Sequence, residues 1–220
     1  MKIHYKEMIA GPRMLWMVKY LTLSKIILLI ALSGTLFFSL YLTLNSLLLL
    51  FVLGAISFFY AFKFNITSKR TNLRDIPGIK IYLIGIVWAI SCSLIPSFEA
   101  NSLKQAEWVI TVGYFLYIVG ITIPFDIRDI DVDEMNKKTI PQLIGTRNAI
   151  ILSNILILIS GLTFYWVVTP NLMQEASIIM GISISMLMTS LTNKSRNELY
   201  FSFVMDGLLI FYPAIVIILS

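Results

Sequence analysis

The sequence predicts an all-α fold, a polytopic transmembrane helical bundle of about seven spans. Three observations carry that prediction. Of the 220 residues, 58% are hydrophobic and 13% charged, against about a quarter charged in soluble domains; a surface so poor in charge expects lipid as its solvent. The apolar residues gather into stretches long enough to cross a hydrocarbon core of about 30 Å, which takes roughly 20 helical residues. The basic residues segregate: all but Lys104 of the 17 lysines and arginines fall in the N-terminal arm or in alternate loops between the stretches.

Taken in order, residues 1–25 form a basic arm in which Met14, Leu15, Trp16 and Met17 suit the membrane interface. The arm does not read as a signal peptide. The apolar stretch after it is too long and carries no small-residue cleavage site. Residues 26–220 read as one transmembrane domain, with spans expected over about 26–44, 46–62, 79–97, 106–125, 142–168, 172–192 and 198–219. The stretch 142–168 is long enough to be tilted or partly outside the bilayer. Helices are expected throughout, because backbone groups in lipid must be satisfied within their own segment, and the alternation of barrel strands is not seen. Pro96, Pro124, Pro170 and Pro213 are expected at helix ends or kinks.

The arm and the loops near 63–80, 126–147 and 193–197 hold the basic residues and are therefore expected on the cytoplasmic side. The N terminus is then inside and the C terminus outside, in keeping with an odd number of spans, and the expected location is a bacterial cytoplasmic membrane. The net charge of +5 is a topology signal, and nucleic acid is not an expected partner. With Cys92 and His4 as the only cysteine and histidine, neither an intrachain disulfide nor a transition-metal site is expected. A retinal protein would need a lysine in the last span, and 198–219 contains none. A transporter would more often show several intramembrane charges.

Most of the polar chemistry lies after the fourth span, in Asp126-Ile-Arg128-Asp129-Ile-Asp131-Val-Asp133-Glu134. If this segment is helical, Asp126, Asp129 and Asp133 point within about 60° of one another, at about 100° per residue. Three carboxylates on one face repel unless a cation joins them, and their hard oxygens suit Mg²⁺. The basic pair Lys137-Lys138 follows. Acids for a metal and bases for phosphate oxygens, adjacent at one membrane face, suit a diphosphate. The alternative is a solvated loop whose acids pair with Arg128, Lys137 and Lys138.

The run from Asp126 through Asp129 and Asp133 to Lys137-Lys138-Thr139-Ile140-Pro141 and Gly145 resembles the second aspartate motif of the UbiA-type membrane prenyltransferases. There D-x-x-x-D, matched by Asp129 and Asp133, precedes basic residues and a T-L-P-x-L-x-G-like helix start. Asn136 stands where that family commonly has glycine. A second region is similar: Tyr60 closes a span, and a basic loop with Arg70 and Arg74 follows it. The resemblance covers nearly the whole chain, with four spans before the motif and three after, matching helices three to nine of the family fold. The first aspartate motif, N-D-x-x-D, and the two helices before it have no counterpart. Three explanations are compatible with that: a truncated or divergent member, a partner chain that supplies the missing helices, or a binder without catalysis.

The resemblance implies a transferase that moves a prenyl group from an isoprenoid diphosphate to a lipophilic acceptor. Mg²⁺ would be held by Asp129 and Asp133 with Asp126 near. Arg70, Arg74, Lys137 and Lys138 would meet the diphosphate, with Tyr60 beside it. The alternative function is a noncatalytic membrane subunit that binds an isoprenoid or lipid diphosphate. Trp88, Tyr114, Tyr117 and Phe125 lie on the helices that would line the cavity, though aromatic residues in spans are more often packing or interfacial belt. Asp206 stands inside the last span, and an intramembrane carboxylate usually faces a cavity or a partner.

Overall fold

The structure is a computed structural model, and it describes residues 18–62, 64–66, 69–71, 73, 76–102, 104–131, 138–168 and 171–210. Its long helices are α1 (Leu21–Ser39), α2 (Leu44–Ala61), α3 (Lys80–Glu99), α4 (Gln105–Arg128), α6 (Thr146–Val168) and α7 (Leu172–Ser190). A five-residue helix, α5 (Ile140–Ile144), precedes α6, and α8 (Tyr200–Ile210) follows α7. These six long helices are long and apolar enough to cross a membrane. Where a seventh span is expected, the described residues hold a shorter apolar helix, α8, and residues 211–220 lie outside the described residues. Between α2 and α3 the chain makes a small antiparallel hairpin, Phe64–Ile66 with Lys69–Thr71, in which Asn65 pairs with Arg70.

Contacts divide the chain into two units, Met1–Leu47 and Leu48–Ser220. In the first, α1 is almost wholly aliphatic and aromatic. Two of its hydroxyls bond back along the helix, Thr35 to the carbonyl of Ala31 and Ser39 to that of Leu36, which satisfies them without water. Thr43 and Ser46 link their hydroxyls at the start of α2, 3.2 Å apart.

In the second unit α4 is the central helix, packed against α3 and α6 and touching α5, α7 and α8. On one side of it Tyr117, Ile118 and Ile121 join Ile157 and Phe164 of α6, Ile182 of α7 and Phe201 and Met205 of α8; on another Val119, Ile123 and Ile127 join Ile81 of α3 and Ala149 of α6. Close approach depends on small residues, as in other helix pairs within lipid. A Cβ on Gly120 would stand 2.8 Å from a side-chain carbon of Ile157 and 3.1 Å from the backbone oxygen of Ser153. That closeness lets the Ser153 hydroxyl donate to the Gly120 carbonyl at 2.7 Å. Further hydroxyl links tie α3 to α4 (Ser93–Thr111, 2.8 Å) and α4 to α7 (Tyr117–Ser185, 2.9 Å).

Helix ends and irregularities follow from particular residues. Pro96 has no N–H for the carbonyl of Cys92, and the turn before it, Ile90–Leu94, widens into a π-helix before α geometry resumes at Ile95. The expected long span 142–168 is instead broken at Gly145, whose φ of +80° no helix accepts. Pro141 and Gln142 start α5, with the Gln142 side chain accepting the Thr139 N–H at 3.0 Å. A second π-helical turn, Tyr200–Met205, opens α8.

Candidate functional site

Lys80 is the first residue of α3 and Asp126 lies in the last turn of α4; the Lys80 ammonium donates to the Asp126 carboxylate at 2.8 Å and brings these two ends together. Asp126 is nearly sealed, with 3% of its side chain exposed. A charge so buried is tolerable only when paired. Their contact lies beside a small cavity of about 20 Å³, large enough for one water, which is also lined by Gly78, Thr139 and Ile140.

Arg128, two residues on, closes α4. Its guanidinium gives two parallel hydrogen bonds to the Asp129 carboxylate, at 2.7 and 2.9 Å. It also lies over the rings of Phe125 and Phe201, 5.5 and 5.2 Å from their centroids, within cation–π range. The carboxylates of Glu198 and Asp206 act on it as well. A cation held between two rings and a carboxylate that takes two of its hydrogen bonds has its orientation fixed before any ligand arrives.

Lys80, Arg128 and Asp129 stand at one end of a cavity of about 270 Å³, lined further by Ile84, Trp88, Ile118, Ile121, Phe125 and Asp206. At 1.5 Å per residue, Trp88 lies about 12 Å along α3 from Lys80 and Ile118 about 15 Å along α4 from Arg128. The cavity thus runs from a charged end to an apolar end. Ile84 and Trp88 also wall a neighbouring cavity of about 160 Å³ that contains Tyr60 and Ser57 of α2.

The sequence-expected site residues are distributed as follows. Asp129 and Asp206 share the main cavity. Asp126 turns to Lys80, and α4 ends at Arg128 with Asp129 as its cap, so the helix does not carry a common acidic face onward. Asp131 is exposed and pairs with Lys194 at 3.0 Å. Tyr60 lines the adjoining cavity. Arg70 lies on the hairpin, and Lys138 is exposed with a φ of +48°. Arg74, Asp133 and Lys137 lie outside the described residues. Of the aromatic candidates, Trp88 and Phe125 line the cavity. Tyr117 instead bonds Ser185, and Tyr114 packs on Phe164.

Lys80, Arg128 and Phe201 were not singled out for the site from the sequence. A lysine opening an apolar helix reads as a topology marker, and Arg128 reads as one more charge in a charged loop. No local pattern announces that Phe201, 73 positions further on, completes the arginine's cradle.

Mg²⁺ is expected from the clustered carboxylates of the sequence and from the resemblance. Among the described residues no three His, Cys, Asp or Glu side chains gather as a metal site. Mg²⁺ is commonly held by one or two carboxylates together with substrate phosphates. The donor set here, with Asp129 and Asp206 on one cavity, fits a cation that arrives with a diphosphate and not one held by the protein alone. Comparison of the chain with family models, curated proteins and solved structures found no match.

Proposed function

We infer that the chain is an intramembrane prenyltransferase-like protein of the UbiA type, binding an isoprenoid diphosphate and passing its prenyl group to a lipophilic acceptor. The observation that carries this reading is one cavity with a charged end, Lys80, Arg128 and Asp129, and an apolar end, Ile84, Trp88, Ile118 and Ile121. An isoprenoid diphosphate has the same two halves. The motif Asp129-x-x-x-Asp133 with Lys137-Lys138-Thr139 supports it from the sequence side.

In this reading Arg128 exchanges Asp129 for phosphate oxygens, which its planar fork fits as well as it fits a carboxylate. Lys80, kept in register by Asp126, meets the same head group as a point charge. Asp129, released, would with Asp133 hold Mg²⁺, which supplies neutralisation of the charge that grows on the leaving diphosphate. Arg70, Arg74, Lys137 and Lys138 would add positive potential for the head group. Trp88 and Phe125 keep water from the reacting carbon and present ring faces to developing positive charge. The cavity at Tyr60 extends the apolar path for a longer chain. In this reading the basic loops, and this mouth with them, face the cytoplasm.

The noncatalytic binder is the second reading. The bonds Lys80–Asp126 and Arg128–Asp129 favour it, because they already neutralise two of the carboxylates that catalysis would need. Thermal unfolding of the purified protein in detergent with geranylgeranyl diphosphate, with and without Mg²⁺, tests both. A ligand at 100 times its Kd adds about 2.7 kcal/mol. The expected result is Mg²⁺-dependent stabilisation that Asp129→Ala abolishes. Stabilisation indifferent to Mg²⁺ and to Asp129 favours the binder. Folded protein that responds to no donor of any chain length removes the site.

A further inference from the structure

Thr139 is the N-cap of α5 and is buried, with 6% of the residue exposed. Its oxygen faces the backbone N–H of Gln142 in a capping box, but the hydroxyl's own proton meets no acceptor among the described residues. A buried donor without an acceptor is costly. Thr139 lines the small cavity of about 20 Å³ beside the contact between Lys80 and Asp126. The turn before α3 bounds the same space. A Cβ on Gly78 would lie 3.8 Å from the Lys138 carbonyl oxygen, so the chain entering α5 lies against the chain entering α3. One water needs about 10–15 Å³ of such space and roughly two to four polar partners. This cavity has three on its walls: the Thr139 hydroxyl, the Asp126 carboxylate and the Lys80 ammonium. An ammonium carries three donors, and the bond to Asp126 uses one of them.

We infer that the cavity binds one ordered water that joins Thr139 to Asp126 and Lys80, and that this bridge makes Asp126 a positioning residue for Asp129 and Lys138. The water accepts from the Thr139 hydroxyl and from Lys80 and donates to the Asp126 carboxylate, which gives the buried hydroxyl the acceptor it needs. Asp126 stands three residues before Asp129, and Thr139 directly follows Lys138. The bridge therefore ties the chain at one point on both sides of the acidic and basic run. Asp126, committed to Lys80 and to this water, then acts on the site through its neighbours and is not a metal ligand. The bridge itself is independent of the prenyl-transfer reading; its effect on a bound diphosphate rests on that reading.

Thr139→Val keeps the shape of the side chain and removes the hydroxyl, whereas Thr139→Ser keeps the hydroxyl. In thermal unfolding of the full-length protein in detergent, Thr139→Val is expected to lower the Tm by about 2–4 °C, and Thr139→Ser clearly less. With Lys80→Met and Asp126→Leu in place the water loses its other partners, and Thr139→Val should then cost nothing. An equal loss in both backgrounds would mean that the hydroxyl serves only as the cap of α5. No loss in the otherwise wild-type protein would mean a dry cavity. Either result overturns the proposal. Should the Lys80→Met, Asp126→Leu protein not fold, hydroxyl-radical footprinting decides, because radicals formed from a bound water label the buried side chains beside it. Ile81 lines the cavity and is 3% exposed; Ile123, at 0%, is the buried control. Ile81 should be labelled several-fold more than Ile123, and Thr139→Val should erase the difference. Equal labelling in wild type, or labelling unchanged by Thr139→Val, would overturn the bridge. For the positioning role, Thr139→Val should weaken the Mg²⁺-dependent response to geranylgeranyl diphosphate several-fold and Thr139→Ser should restore it; an unchanged response would remove that role. A wild-type protein indifferent to every prenyl donor would sink the prenyl-donor reading and leave the bridge to stand or fall on the unfolding result.

Discussion

Asp126 has almost no contact with water, so its effect on stability depends on Lys80. Removing either partner leaves the other charge in a medium that solvates it poorly, and breaking a buried pair costs about 3–5 kcal/mol. Lys80→Met is therefore expected to destabilise by about that amount, and Lys80→Met with Asp126→Leu by clearly less, as read from denaturant unfolding in detergent. Equal losses would mean that the pair is not what holds the ends of α3 and α4 together. The contrast between Asp126 and Asp129 also marks how far the residues were legible. The acidic run identifies this segment as the polar centre of the chain. It does not reveal that Asp126 faces Lys80 across a helix pair while Asp129 faces Arg128, because both partners are chosen by tertiary packing and by where α4 stops.

At the scale of elements, the apolar stretches gave the helices and their order, because a span length is set by bilayer thickness rather than by subtle propensity. Their ends were less legible. The helix α1 begins at Leu21 inside the expected arm, and α4 runs through Arg128 into the expected loop, since a charged residue at a helix end costs little where water is near. The short hairpin at 64–71 was not foreseen; three-residue strands leave no periodic pattern. The α4–α6 seam gives a prediction of its own. Gly120→Ala should destabilise by about 1–3 kcal/mol, the usual cost of overpacking, because its Cβ meets Ile157 and the backbone of Ser153. Gly54→Ala, with nothing within 4 Å, should be neutral or stabilise by about 0.4–1 kcal/mol. Denaturant unfolding of the two variants in the same detergent decides it, and similar values for both would show that Gly120 is not a packing contact.

For the whole molecule, the consequence of the charge pattern is an orientation. The turn at Asn101, between α3 and α4, and the turn at Ser195, between α7 and α8, are expected on opposite sides of the membrane, Ser195 on the cytoplasmic one. With Cys92 replaced by serine, Asn101→Cys should react with a membrane-impermeant thiol reagent added to intact cells. Ser195→Cys should react only after lysis. The reverse pattern would invert the proposed topology and set the mouth at Arg128 on the outer face. The cavities themselves could not be read from the sequence. Their walls come from α2, α3, α4 and α8, and no spacing rule relates Trp88 to Ile121 before the helices are packed.

The π-helical turn Tyr200–Met205 carries one further consequence. A π turn accommodates one residue more than α geometry would over the same rise, so the start of α8 carries a spare residue. Loss of one residue after Phe201 can be absorbed by reversion to α register, so that Phe201, the cover of Arg128 at the start of the turn, and Asp206 just after it each keep their face. A one-residue loss in α4 has no such slack and would rotate everything beyond it by about 100°. Changes in chain length are thus tolerated unevenly along this bundle, and the tolerant position lies beside Asp206, which lines the main cavity.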